Sequence, residues 1–268
     1  LSSVTLQRTG LSLNTDLTNI YLYQGATRLT DAASINSTGM IVFNGINLAV
    51  AGSTTVSVRA DVSSGATGND IGVKMTSFNA NGTAMPVNLS GNQMFISTST
   101  GLLGSVAFVS PSTTSPSVNA GTMNYTLWTS PVQVSTHTMA LKGAAFKFVG
   151  SAPKNSVANL GLYIDGVKVA SSTGVNAYDY IVFDLMSAPF TLNTGSHTVD
   201  VRGDLVNGAG RTVTISLQNA GDFMVTDNTV GVNVAAVSPL AASTTFTTVA
   251  GNSISISTGS VSVSIDPA

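Results

Sequence analysis

Apolar and polar residues alternate with a period of two along most of this chain. That spacing turns one face of a strand inward and the other outward. The clearest runs are Thr55-Val56-Ser57-Val58-Arg59, Thr198-Val199-Asp200-Val201-Arg202, Thr212-Val213-Thr214-Ile215-Ser216-Leu217, Ser253-Ile254-Ser255-Ile256-Ser257 and Val261-Ser262-Val263-Ser264-Ile265. Between the runs stand Gln24-Gly25, Asn44-Gly45, Asn81-Gly82, Asp165-Gly166 and Asn207-Gly208, which suit tight turns. Short strands at a spacing of about 8–12 residues predict an all-β chain of antiparallel β-sandwiches, with helix below about 10% of residues.

An internal repeat organises these strands. Asn19-Ile20-Tyr21-Leu22-Tyr23 matches Asn159-Leu160-Gly161-Leu162-Tyr163 at an offset of 140 residues. Gly10 with Gly150, Leu17 with Val157, and Ile41-Val42-Phe43 with Ile181-Val182-Phe183 keep the same offset. The stretch from Ser53 to Val62 then matches Ser196 to Leu205 at 143, placing Arg59 opposite Arg202 and Tyr23 opposite Tyr163. Gly91-Asn92 and Ile96-Ser97-Thr98 match Gly251-Asn252 and Ile256-Ser257-Thr258 at 160, so an added strand or longer hairpin is expected around 219–250.

The repeat divides the chain into a module over residues 1–100, a second over 101–258, and a segment 259–268 that resembles the opening of a further module or serves as a donor strand. The first boundary is expected near Thr100 to Gly104. Leu1 corresponds to Leu141, so the second module carries about 37 earlier residues that the first lacks, including Val106–Val109, Asn124–Trp128 and Val132–Ser135. An edge of the first sandwich is therefore expected to be bare. Starting at Leu1 without a signal segment, the chain reads as processed or as a window on a longer array.

Composition narrows the function. Only 8% of the 268 residues are charged, against roughly 25% in an ordinary domain. All 12 acids are Asp, Cys is absent, and the net charge is −2. No basic surplus exists for nucleic acid, and no thiolate or disulfide chemistry is available. Mean hydropathy is +0.32, yet no apolar run is long enough to span a bilayer as a helix. Aromatics, at 6%, are few for the girdles of a transmembrane barrel.

The sequence T-L-x-R-T-G, then D-L-T-N-I-Y-L-Y-x-G-x-T-R-L, then V-x-V-R-A-D-V resembles tandem Ig-like repeats of large secreted bacterial surface proteins, S-layer-like or adhesin-like, of uncultured lineages. The resemblance covers both modules and implies two tandem antiparallel Ig-like β-sandwich modules at the cell surface. Its implied role is a passive building block of an extracellular layer, stalk or fibre.

Each candidate for chemistry has a plainer reading beside it. Arg202-Gly203-Asp204 matches an integrin-binding tripeptide, but the repeat puts Arg59-Ala60-Asp61 in the same slot, so a solvent-side charge pair at a strand end is expected. His137 has no acid near it in sequence, and alternation separates His197 from Asp200, so no Ser-His-Asp triad is expected. Asp179 and Asp184 alternate to opposite faces, against a glycosidase pair. Asp222 with Asp227 is the best calcium candidate, Asn228 adding an amide oxygen, with Asp165 and Asp266 behind it. Tyr125, Trp128, Tyr178 and Tyr180 are the candidates for stacking on a glycan, with core packing the plainer reading for Trp128. Asn36, Asn81, Asn88 and Asn124 stand in Asn-x-Ser/Thr sites.

The expectation is a non-enzyme with no resident cofactor, extracellular, partnered by copies of itself and with no membrane span. The alternative is an adhesion or glycan-binding module. Val261, Val263 and Ile265 share one face of the final strand and are expected to add to the first module of the next chain.

Overall fold

The computed structural model describes residues 1–63, 66, 69–96, 103–109, 116–239 and 246–258. The chain forms two compact units, Leu1–Gly101 and Leu102–Ala268. Among the described residues 58% lie in strands and 3% in helix, and the sheets are antiparallel almost throughout. No helix among them is long and apolar enough to cross a membrane. Val261, Val263 and Ile265, with the expected 259–268 strand, lie outside the described residues.

Unit 1 contains β1 (Ser3–Thr9), β2 (Leu17–Gln24), β3 (Thr27–Arg28), β4 (Met40–Asn44), β5 (Ser57–Val62), β6 (Asp70–Ala80), β7 (Thr83–Ser90) and β8 (Met94–Phe95). One sheet runs β4-β1-β6-β7, with β8 also on β6, and the other runs β3-β2-β5. Val4 pairs with Phe43 and Leu6 with Ile41 across β1 and β4. All four side chains are buried, as are Ile20, Leu22 and Tyr23 of β2 and Ile71 of β6. This alternation makes the core of unit 1.

Unit 2 contains β9 (Ser105–Phe108), β10 (Ser117–Asn119), β11 (Tyr125–Ser135), β12 (Met139–Gly150), β13 (Val157–Ile164), β14 (Val167–Ser171), β15 (Tyr180–Asp184), β16 (Phe190–Leu192), β17 (Gly195–Leu205), β18 (Arg211–Leu217), β19 (Phe223–Asp227), β20 (Asn233–Val234), β21 (Val249–Ala250) and β22 (Ile254–Ser257). A five-stranded sheet has the order β14-β13-β17-β11-β9. A nine-stranded sheet centres on β12, which pairs with β15, β16, β18 and β19. The sheets meet through their aromatics. Phe108 of β9 lies 5.0 Å from Phe223 of β19, and Trp128 of β11 lies 4.9 Å from Phe146 of β12. The extra strands β19 and β20 fall in the region where the offset predicted an insertion.

Several local devices occur in both units. Asn19 and Asn159 take left-handed backbone, with φ of 47° and 52°, a region Asn tolerates better than most residues. Each sits at a register shift, in β2 against β5 and in β13 against β17. Their amides donate to Asp61 at 2.8 Å and to Asp204 at 2.6 Å. Arg59 lies 4.4 Å over the Tyr23 ring and Arg202 lies 4.6 Å over Tyr163. Asn36 Oδ1 accepts the N–H groups of Thr38 and Met40, and Asn176 Oδ1 accepts those of Tyr178 and Tyr180. Gly10 and Gly150 both have positive φ and leave no room for a Cβ against the carbonyls of Asp70 and Thr212.

Candidate functional site

The four aromatics proposed for glycan stacking do not form a platform. Trp128 is buried in the core of unit 2, its indole N–H donating to the Val249 carbonyl at 3.0 Å. A single-residue bulge of β11 against β17, between Thr126 and Trp128, shifts the alternation, so Leu127 and Trp128 are both buried. Core packing, the plainer reading of Trp128, is what the structure shows. Tyr180 is buried under Lys147, whose ammonium lies 4.9 Å from its ring. Tyr125 is half-buried on the five-stranded sheet, while Tyr178 precedes β15 of the other sheet.

The calcium candidates also separate. Asp222 precedes β19 and Asp227 ends it, about 16 Å apart at the rise of a strand. Asp222 closes a capping box with Asn219 on a short 3-10 turn, its Oδ2 accepting the Asn219 backbone N–H at 3.1 Å. Asp227 is engaged otherwise. It accepts the backbone N–H groups of Gly104, Thr229 and Val230 at 2.7, 2.8 and 3.1 Å, and faces His137 Nδ1 at 2.8 Å. Burial pushes its carboxyl up, but these four donors outweigh burial and hold it well below the ordinary carboxylate range. Among the described residues no three His, Asp or Glu side chains form a metal-ligand group.

His137 therefore does have an acid partner, 90 residues away in sequence, joining the start of β12 to the end of β19. His197 has one as well. Its Nδ1 lies 2.6 Å from Asp165 Oδ2 and its Nε2 lies 2.8 Å from the Asn193 carbonyl. Both ring nitrogens face acceptors, which suits the doubly protonated imidazolium. Burial pulls the His197 pKa down, but Asp165 and Asn193 outweigh burial and raise it above its ordinary value. Asp165 is lowered in turn, chiefly by the His197 hydrogen bond. Among the described residues no hydroxyl hydrogen-bonds to either imidazole, and each pair ties a strand end to a loop.

The Arg-Gly-Asp segment lies within β17 and is not a solvent-side pair. Asp200 and Asp204 are buried, and Arg202 is half-buried. Arg202 donates to Asp200 Oδ2 from Nη2 at 2.6 Å and from Nε at 3.2 Å, and Thr129 of β11 donates to Oδ1 at 2.7 Å. Asp204 accepts from the Asn124 backbone N–H at 2.7 Å and from the Asn159 amide. The burial follows from β11 lying along β17, a pairing that local alternation does not reveal. Asp179, placed beside Asp184 in sequence, pairs instead with Lys154 at 2.6 Å and Lys147 at 3.6 Å. The Lys154 contact is the main cause of its lowered pKa.

The carboxylates and imidazoles of Asp165, Asp179, Asp200, Asp204, Asp222, Asp227, His137 and His197 thus form ties in loops and along strands. A hollow in unit 1, lined by Thr30, Asp31, Asn36, Met40, Val42 and Asn44, has Asp31 as its titratable side chain among the described residues. Comparison with known proteins finds no matching family model, no matching curated protein and no matching solved structure.

Proposed function

We propose that this chain is a non-catalytic structural building block, two Ig-like sandwich modules of a tandem array in an extracellular surface layer, stalk or fibre. The observation that supports the reading most is the recurrence of the same side-chain devices in both units. The Asn–Asp tie, the Arg-over-Tyr contact and the Asn-centred turn before a core strand all recur at offsets between 140 and 143 residues. Repeated units of one design are what an extended array requires. Low charge and Ser and Thr on outward strand positions fit a scaffold whose faces contact other scaffold elements.

Negative-stain electron microscopy and sedimentation of the full chain test the proposal. Regular fibres, sheets or strings of particles support it. A chain that stays monomeric at high concentration, yet binds defined sugars on a glycan array, overturns it in favour of a binding module.

A further inference from the structure

We infer that unit 1 accepts an extended strand from a partner polypeptide, laid antiparallel along β5, with an aromatic side chain seated over Gly91. Unit 2 supplies the template. There the sheet continues past β17 to β11 and β9, with Trp128 opposite Val201 and Thr129 opposite Asp200. In unit 1 the matching strand is β5, and among the described residues β2 is its one strand partner.

Side-chain exposure points the same way. Val58, Val62, Leu89 and Met94 are 36%, 55%, 59% and 62% exposed, whereas Val201, Leu205, Val249 and Ile254, at offsets of 143 and 160, are between 0% and 1%. Four apolar positions that unit 2 buries are thus open in unit 1, on strands β5, β7 and β8. An open edge beside apolar side chains is a template for strand addition.

The seat has a specific shape. In unit 2 a Cβ built on Gly251 would lie 2.7 Å from Trp128 Cδ1 and 3.0 Å from the Ile215 carbonyl, so the indole lies directly on the glycine backbone. Gly91 stands at offset 160, and a Cβ there would meet the Val73 carbonyl at the same 3.0 Å and no ring. The backbone that makes room for an indole is therefore retained where no indole is present. A polar anchor is retained too. Asp204 accepts the N–H of Asn124, which starts β11, as well as the Asn159 amide. Asp61 accepts the Asn19 amide through Oδ2, and among the described residues no donor reaches its Oδ1.

The occupant is a strand with the chemistry of Tyr125–Ser135: a tryptophan at the bulge, valines on the inward face, and Thr or Ser on the outward face. The chain's own β11 is already engaged in unit 2, so the strand is one other than that β11. This inference deepens the building-block proposal by naming a contact, and rests on it for the existence of a donor. The peptide assay below tests the seat alone, whereas assembly of the chain tests the proposal.

The probe is a fluorescein-labelled synthetic peptide with the sequence of residues 124–135, titrated with the full chain and followed by fluorescence anisotropy. One peptide should bind per chain, and a scrambled peptide should not. Val58→Asp and Val62→Asp should each weaken binding at least tenfold, as should Trp128→Ala placed in the peptide. Val167→Asp, on an exposed site of β14, should leave binding unchanged. Hydrogen exchange of the unmodified chain should show new amide protection across residues 57–62 when the peptide is added, a readout independent of any variant's folding. Absence of binding, binding insensitive to Val58→Asp and to the peptide's Trp128→Ala, or no gain of protection on β5 overturns the inference. Self-association of the chain without peptide, abolished by Val58→Asp, would place a second copy in the seat and overturn the donor assigned here.

Discussion

Replacing Trp128 with alanine tests the packing of unit 2 at its most loaded position. The indole is buried, its ring centroid lies 4.9 Å from Phe146 and 6.2 Å from Phe108, and its N–H reaches the Val249 carbonyl at 3.0 Å. Truncating a fully buried Trp costs about 3–5 kcal/mol through lost transfer energy and a residual cavity. The Val249 carbonyl also loses its donor, a further cost of about 1 kcal/mol or more where water does not fill the space. A total of about 4–6 kcal/mol is a large share of the roughly 5–15 kcal/mol that stabilises a domain. At about 2–4 °C per kcal/mol for a unit of this size, the melting temperature should fall by at least about 8 °C. Urea unfolding followed by circular dichroism, with hydrogen exchange at Val199 and Val201 reporting on unit 2, measures the loss. Trp128→Phe keeps the ring and removes the donor, so it should cost less, about 1–3 kcal/mol. A loss below about 1 kcal/mol for Trp128→Ala would refute the packing argument, because the ring would then be in contact with solvent or readily replaced.

Gly251→Ala forces a Cβ to within 2.7 Å of the indole and should destabilise unit 2 by about 1–3 kcal/mol, whereas Gly91→Ala should cost unit 1 distinctly less; paired thermal melts compare them. The His197–Asp165 pair gives a pH dependence with a definite sign. The raised His197 contributes stability below its unfolded value of about 6.5, and this is lost as pH rises through its folded value. The lowered Asp165 contributes stability above about 3.9, and this is lost as pH falls through its own folded value. Urea midpoints should therefore fall from pH 5 towards pH 8 in the native chain, and Asp165→Asn should flatten that slope; an unchanged slope contradicts the pairing. Asp227→Ala removes the acceptor of three backbone N–H groups and of His137, and should raise hydrogen exchange at Gly104, Thr229 and Val230 in particular.

The strand content and the antiparallel sheets followed from period-two alternation and Gly-centred turns, because those signals are local. The repeat set Tyr23 opposite Tyr163 and Arg59 opposite Arg202, while the stacking of each Arg over its unit's Tyr emerged only in the structure. Long-range placement was not legible. His137 and Asp227 are 90 residues apart, and His197 and Asp165 are 32 apart, so neither partner stood out by proximity in sequence. Asp200 and Asp204 looked solvent-facing because strict alternation opposes them to Val199 and Val201. They are buried because β11 lies along the same edge and supplies Thr129 and the Asn124 N–H as donors. The bulge between Thr126 and Trp128, which buries the neighbours Leu127 and Trp128 together, left no signal in the sequence.

The central claim is that both units follow one template and that, among the described residues, the strand beside β17 has no counterpart beside β5. Residue-resolved native-state hydrogen exchange of the unmodified chain in dilute solution tests it most directly. β17 is flanked by β13 and β11, so its interior amides, facing either neighbour, should all exchange slowly. In β5 the amides facing β2 should be protected, while alternate ones should exchange at rates close to those of open loops. Uniform slow exchange across residues 57–62, equal to that of residues 199–205, would contradict the account.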